Sequence, residues 1–461
     1  MSTAGSSNLH RGDATVFIAI AIAAAAVHIV ALLYMRAPPS PDAAEYLALG
    51  KSLAVNHELV LPTGERAKRM PAYPWFISLF SHAQSEEKLQ DDVLAAQCVI
   101  AIAVSVMLAV IAWRIADRRA AILAGLTSAL YAPHLYLQTL CLSEMLLIFF
   151  LAIALACYIA SLTAKGPAMW LTLTFAALSL AAASLTRANA AVLAFPFAVD
   201  ALLRAGQMRV RITRAVVIVV PLSLALIAWG LRNQREIGKF TLSTIGGLNY
   251  YLGHNDKYAA DPGLANANYG AFDRLRREKG VSEVEADEML FARGREFMKE
   301  HPREELVNFF RKTVVYHESA VTSAAPTLLL LIFPAILLVR RPPASRGRKL
   351  ALQLARVALV ITAILWIAEF WQTNRPWITP STLLPIGLVG LIFLKDRLRL
   401  RFLFISLYIL EMFVAIAFIP LARLRWTVDF LLILAIAVAV SRICAWLETR
   451  PAESTAPSAA S

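Results

Sequence analysis

The chain has 461 residues, of which 58% are hydrophobic and 17% charged, with a net charge of +13. A soluble protein carries about 25% charged residues, and apolar runs recur here at about the 20 residues a bilayer crossing needs. An ordinary soluble enzyme is thereby excluded. The basic residues form short clusters between apolar runs, as membrane topology requires, so nucleic acid is not an expected partner.

The expected architecture is an all-α polytopic membrane protein of about twelve spans. Hydropathy places them at about 15–34, 93–113, 119–136, 143–162, 168–185, 189–204, 214–232, 319–339, 352–371, 377–394, 402–419 and 427–446. The polar residues 1–14 precede the first span, which has no small-residue cleavage site after it and reads as a retained anchor. Basic clusters at Arg114–Arg119, Arg204–Arg214, Arg340–Lys349 and Lys395–Arg401 fall in alternate loops. The positive-inside rule makes those loops cytoplasmic, with both termini inside. Segments 36–92 and 233–318 are then two long outer loops, and 447–461 is a cytoplasmic tail of disordered composition.

Within the first outer loop, PDAAEYLALGKSLA is expected to form a surface helix, with Tyr46, Leu49 and Leu53 on one face. Asp42 either caps that helix or faces a site. The short apolar segment near 72–82 reads as re-entrant or interfacial. Just before it, RMPAYPWF re-aims the chain with paired prolines, and Arg69 offers a phosphate contact. Glu144 opens the fourth span, where a carboxylate should face the bundle interior or cap the helix. In the second outer loop, 235–312 carries 13 basic and 13 acidic residues. There Ser282 and Glu285 fit a capping box, and 303–317 reads as an interfacial amphipathic helix with Leu306, Phe309, Phe310 and Val314.

Other polar residues sit where they are costly. Arg187 and Asn189 occupy an outward turn, Glu411 lies near mid-span, and His28 reads as a satisfied buried histidine. Arg423 and Arg425 fall in a short outer loop, against the topology rule. They bind an anionic group there, or they pair with a carboxylate such as Asp429 or Glu369. Cys98, Cys141, Cys157 and Cys444 lie in or at the ends of spans with no metal-ligand or disulfide spacing.

Six motifs in order resemble the bacterial side of glycosyltransferase family 39, the group of protein O-mannosyltransferases and lipid A aminoarabinose transferases. They are Asp42 with Tyr46, RMPAYP with Tyr73, Ser143–Glu144, Leu185–Thr186–Arg187, the stretch LRNQREIGKFTLSTIGGLNYYLGHN with Arg232, Asn233 and Asn249, and RLRWTVDF. The chain departs from the family in having Asp42–Ala43 with Glu45 nearby instead of an adjacent acidic pair. It also has Met70 for the first proline and Trp426–Thr427 after the arginines.

The resemblance implies a GT-C type helical bundle in a bacterial cytoplasmic membrane, with its active site facing the periplasm or cell exterior. It implies a polyprenyl-phosphate sugar donor and a lipid, glycan or protein acceptor. Asp42 would be the base of an inverting displacement, and Glu144 would orient the acceptor or help hold a divalent cation, a metal requirement left open. Arg423 and Arg425, with Arg69 and Arg187, would hold the donor phosphate. Glu45, Tyr46, Tyr73, Arg232, Asn233 and Asn249 would shape the substrate site. The competing expectation is a transporter or lipid-linked sugar flippase, against which stands the lack of an internal repeat.

Overall fold

A computed structural model describes residues 11–35, 39–81, 85–260, 268–317 and 398–448, with single positions 350, 353 and 391. The spans expected at 319–339, 352–371 and 377–394, and Glu369, lie outside the described residues apart from those single positions.

Apolar composition over a sufficient length makes six of the described helices long enough to cross a bilayer. They belong to α1 (Arg11–Tyr34), α4 (Glu86–Ile115), α7 (Glu144–Ser161), α8 (Gly166–Thr186), α10 (Met208–Ile237) and an α16 that follows the undescribed region (Leu398–Ala417). Between the first two of these lie α2 (Pro41–Asn56) and the short α3 (Ala72–Ser78). The chain is a polytopic helical membrane protein. Small residues allow close packing, as membrane helices need: at Gly125 an added Cβ would stand 2.7 Å from Ile20 of α1. Helix α7 lies along α8, and α8 along α10, around a common apolar core.

Two expected spans are corrected. The run expected at 119–136 divides into α5 (Arg118–Ala129) and α6 (Ala132–Leu137). Tyr131 is extended (φ −74°, ψ 112°) ahead of Pro133, whose ring disfavours a continuous helix through the residues before it. The run expected at 189–204 begins as a 3-10 turn, Ala188–Leu193, before α9 (Ala194–Leu203). The run expected at 427–446 forms α18 (Phe430–Glu448), which follows the short α17 (Ala422–Trp426).

Arg114 acts on Cys157 and Arg204 lies over the ring of Tyr158, so these two arginines meet the same end of α7. Contacts agree: Phe17 near the start of α1 meets Trp113 near the end of α4, and Arg119 pairs with Glu448 at 2.6 Å. The opposite end carries the polar helices: α2, α3, α11 (Gly246–Gly253), α12 (Asp256–Ala260), α13 (Ala271–Lys279), α14 (Glu283–Glu300) and α15 (Pro302–His317). The capping box forms between Ser282 and Glu285. On α15, Leu306, Phe309 and Phe310 are exposed.

These polar helices are stitched across long sequence separations. Glu283 accepts from the backbone N–H groups of Arg66 and Ala67 and from Thr244. His254 Nδ1 stands 2.8 Å from Glu305, and Lys312 Nζ 3.1 Å from His254 Nε2. Burial lowers the Lys312 ammonium to about 8, with the Glu305 charge opposing. Gly253 permits a backbone approach: a Cβ there would lie 1.8 Å from the carbonyl oxygen of Phe418, beyond the end of α16. Neither backbone can yield cheaply. Gly253→Ala is therefore expected to loosen the polar-end helices from α16 by about 1–3 kcal/mol. Faster hydrogen exchange across 246–260, with exchange in α7 and α8 unchanged, is the measurement that checks this.

Candidate active site

Helix α2 begins with a division of labour. Ser40 is the cap, accepting from the Ala43 N–H, and Pro41 takes the first helical position. Asp42 is thus released from capping and is 7% exposed. Close contact fixes the helix: a Cβ on Gly50 would stand 2.3 Å from Ile77 of α3. Tyr46 packs edge-on against Tyr73.

Asp42 is held from three directions. Arg69 Nη2 donates to Oδ1 at 2.6 Å, and Arg423 Nη2 donates to Oδ2 at 2.9 Å. The Tyr269 hydroxyl donates to Oδ1. Burial would raise this carboxyl, but Arg69 and Arg423, with the hydrogen bonds of Tyr269 and Arg423, outweigh it. They hold Asp42 well below the usual carboxylate range. Burial, with the Asp42 charge beside it, raises the Tyr269 phenol in turn. Tyr269 therefore stays a hydrogen-bond donor at neutral pH.

The ion pairs continue in both directions. Arg69 Nε donates to Glu45 at 2.8 Å, and its guanidinium lies over the Tyr46 ring. Lys68 reaches Glu45 at 2.7 Å and Asp273 at 3.3 Å. On the other side, Arg423 Nε is 3.6 Å from Glu144 Oε1, and Arg187 Nη1 is 2.9 Å from the same oxygen. Glu144 is 1% exposed at the first position of α7. Arg187 also donates to Ser143 Oγ, which accepts from the Tyr46 hydroxyl as well.

Asp42, Tyr46, Arg69, Glu144, Arg187, Asn249 and Arg423 all line one cavity of about 430 Å³. Its charged lining is four cations (Lys68, Arg69, Arg187, Arg423) and two carboxylates (Asp42, Glu144). Glu45 and Asp273, just behind the lining, offset its excess of cations, but guanidinium groups that share carboxylates at a cavity can turn to an anion that arrives with a reacting group. Val192, Val414, Phe418, Ile419, Leu421 and Leu424 supply an apolar wall to the same space, which suits a lipid chain.

The remaining expected site residues are placed elsewhere. Arg425 is fully buried, 3.3 Å from Asp429 and donating to the Tyr316 carbonyl at 3.1 Å, and does not line the cavity. It takes the carboxylate-paired role, while its neighbour Arg423 takes the cavity. Tyr73 is buried and donates to Gln97 at 2.7 Å. Arg232 donates to the carbonyls of Arg66 and Leu59, and Asn233 to that of Thr241, so both pin loops. Glu45 stands behind the lining, bracing Lys68 and Arg69. His28 pairs with Gln138 at 2.7 Å.

Sequence reading missed Lys68 and Tyr269. Lys68 was legible as the second cation beside the RMPAYP motif. Tyr269, 227 residues from Asp42, had no local signal.

A divalent cation fits this donor set poorly. The guanidinium of Arg423 stands between Asp42 and Glu144, where a shared ion would meet a fixed positive charge. Among the described residues no cluster of three or more His, Cys, Asp or Glu could hold a metal.

No family model matches this sequence, and no curated protein matches it. Solved structures do. The oligosaccharyltransferase of Archaeoglobus fulgidus in its apo form is 12% identical, over 95% of this chain and 51% of that one, with a TM-score of 0.53. The same organism's AglB in complex with an inhibitory peptide and a dolichol-phosphate is 12% identical, over 94% and 50%, with a TM-score of 0.52. ArnT from Cupriavidus metallidurans bound to undecaprenyl phosphate is 16% identical, over 94% and 79%, with a TM-score of 0.36. The chain spans about half the length of the oligosaccharyltransferases it matches. It shares the GT-C type membrane fold.

Glu144 and Asp42 differ in what their removal exposes. Without Asp42, Arg69 keeps Glu45 and Arg423 keeps Glu144; without Glu144, Arg187 loses its ion-pair carboxylate. An unpaired buried charge costs about 3–5 kcal/mol, and partial exposure of Arg187 reduces this to about 2–3 kcal/mol. Glu144→Ala should therefore lower the melting temperature of the detergent-purified protein more than Asp42→Asn does.

Proposed function

We propose that this protein is a glycosyltransferase that moves a sugar from a polyprenyl-phosphate donor to an acceptor hydroxyl or amine. It works at the outer face of a bacterial cytoplasmic membrane, with Asp42 as base. The observation that carries the reading is the buried Asp42 carboxylate flanked by Arg69 and Arg423, in a cavity lined by four cations and an apolar wall. Support comes from the fold, shared with an enzyme solved with a dolichol-phosphate. The basic clusters at the far end of the bundle agree with an outward-facing cavity.

The chemistry follows from charge. The donor phosphate is a phosphodiester with one negative charge. As the acceptor oxygen or nitrogen attacks C1 of the sugar, Asp42 takes the acceptor's proton. The bond from C1 to the phosphate oxygen breaks, and its electron pair leaves with polyprenyl phosphate. Direct displacement by this route inverts the anomeric centre. The leaving phosphate gains a charge, and cations fixed around it stabilise that gain because they need no reorganisation. Arg423 and Arg69 are the principal holders, with Arg187 and Lys68 beside them. Guanidinium forks match phosphate oxygens.

The same arginines restrain the base. Before donor binds, Asp42 is ionised but has little affinity for a proton. Donor phosphate draws the guanidinium groups toward itself, and the proton affinity of Asp42 rises when it is needed. Glu144 then keeps Arg423 and Arg187 apart and in place.

Asp42→Asn is expected to express and insert normally while losing about 10²–10⁴-fold in kcat with labelled polyprenyl-phosphate sugar; full transfer by this variant would remove Asp42 as base. Arg423→Gln should weaken binding of polyprenyl phosphate about tenfold or more, and unchanged affinity would dismiss the phosphate role. The pH profiles carry a further expectation. Loss of a cation raises a carboxyl pKa, so the base fails at higher pH once donor has engaged the arginines. The acid limb of kcat, which reports the bound enzyme, should lie above that of kcat/KM, which reports the free one. Movement of labelled donor across vesicles without bond cleavage would instead favour a flippase.

A further inference from the structure

We propose that Asn189, fixed by Glu411, selects the transferred sugar by accepting a hydrogen bond from one of its hydroxyl or amino groups. The proposal rests on the sugar-transfer reading of the cavity and deepens it.

Glu411 belongs to α16 and is 1% exposed. Its Oε1 accepts from Asn189 Nδ2 at 2.7 Å, while Oε2 is buried without a hydrogen-bond partner. Nothing in the displacement step uses this carboxyl. Its effect is on Asn189, which lines the cavity. Because Glu411 Oε1 accepts from it, the amide nitrogen of Asn189 faces Glu411. The amide plane is thereby fixed, and the carbonyl oxygen is the end left for the cavity. An acidic side chain buried in a membrane helix is costly, and this one feels the Arg187 charge and orients the Asn189 amide.

A carbonyl oxygen recognises a hydrogen-bond donor. It repels phosphate, and a polyprenyl chain offers it nothing. The acceptor nucleophile must lie at Asp42, within hydrogen-bond reach of the base. Asn189 stands at the other end of the ion-pair chain, which runs from Asp42 through Arg423 and Glu144 to Arg187. The sugar spans from the acceptor at Asp42 to the phosphate, and its hydroxyl and amino groups are the hydrogen-bond donors that the Asn189 carbonyl can take. A site built to pair a polar group discriminates against the analogue that lacks it, because its own buried acceptor is then left unpaired.

The test uses the purified full-length protein with polyprenyl-phosphate hexoses, amino-hexoses and their monodeoxy counterparts. Affinity for polyprenyl phosphate without a sugar is measured in parallel. The wild type is expected to prefer one intact sugar over its deoxy partner by about tenfold or more in kcat/KM. Asn189→Ala should compress that ratio to within about twofold. Glu411→Gln, whose amide can donate and so turn the Asn189 amide round, should abolish or reverse the preference. Affinity for the sugar-free phosphate should stay within about twofold in both variants. Retention of the preference in Asn189→Ala, or no preference in the wild type across the panel, overturns the proposal. Failure of the wild type to bind polyprenyl phosphate at all overturns the underlying reading instead.

Discussion

The polar end of this bundle is organised around one carboxylate shared by two guanidinium groups. Asp42 draws Arg69 from the segment before α3 and Arg423 from the start of α17, and it takes a hydrogen bond from Tyr269 ahead of α13. Segments more than 200 and more than 300 residues apart thus meet at one side chain. Two cations on one anion leave a net positive charge that would be unfavourable in an apolar bundle. Glu45 and Glu144, on either side, reduce it. With Lys68, Arg187 and Asp273 the cluster is close to balanced, and its cations line a cavity with an apolar wall.

The rest of the fold holds that arrangement still. Ser40 frees Asp42 by taking the cap. Gly50 lets α2 settle on α3, and Gly253 lets the polar-end helices touch the backbone beyond α16. Arg425, buried beneath Arg423, ties α17 to Asp429 and to the end of α15. One arginine of the pair is thus spent on anchoring the turn from which the other projects.

Much of this was legible in the sequence, and the exceptions have physical causes. Long apolar runs at 15–34, 143–162, 168–185 and 402–419 have the length and composition of single spans, and single helices form there. The run at 119–136 looked equivalent by hydropathy, but Pro133 divides it, a local backbone effect that an average over the run conceals. Asp42, Arg69, Glu144, Arg187 and Arg423 stood out as charges in apolar or outward settings, and it was the order of six motifs resembling a known family that gave them site roles. Arg423 and Arg425 looked alike. Two residues apart on a helix do not share a face, and only the packed structure shows which faces the cavity. Tyr269 and the orientation of Asn189 by Glu411 are tertiary, and no spacing in the chain announces them.

The central claim is a single base acting opposite a phosphate leaving group, which fixes the stereochemistry. The decisive measurement is the anomeric configuration of the product, read by NMR from the coupling at C1 before the sugar can equilibrate. Inversion relative to the polyprenyl-phosphate donor is predicted, since Asp42 takes a proton and never bonds the sugar. Retention would require a covalent intermediate or a second displacement, and would contradict the account.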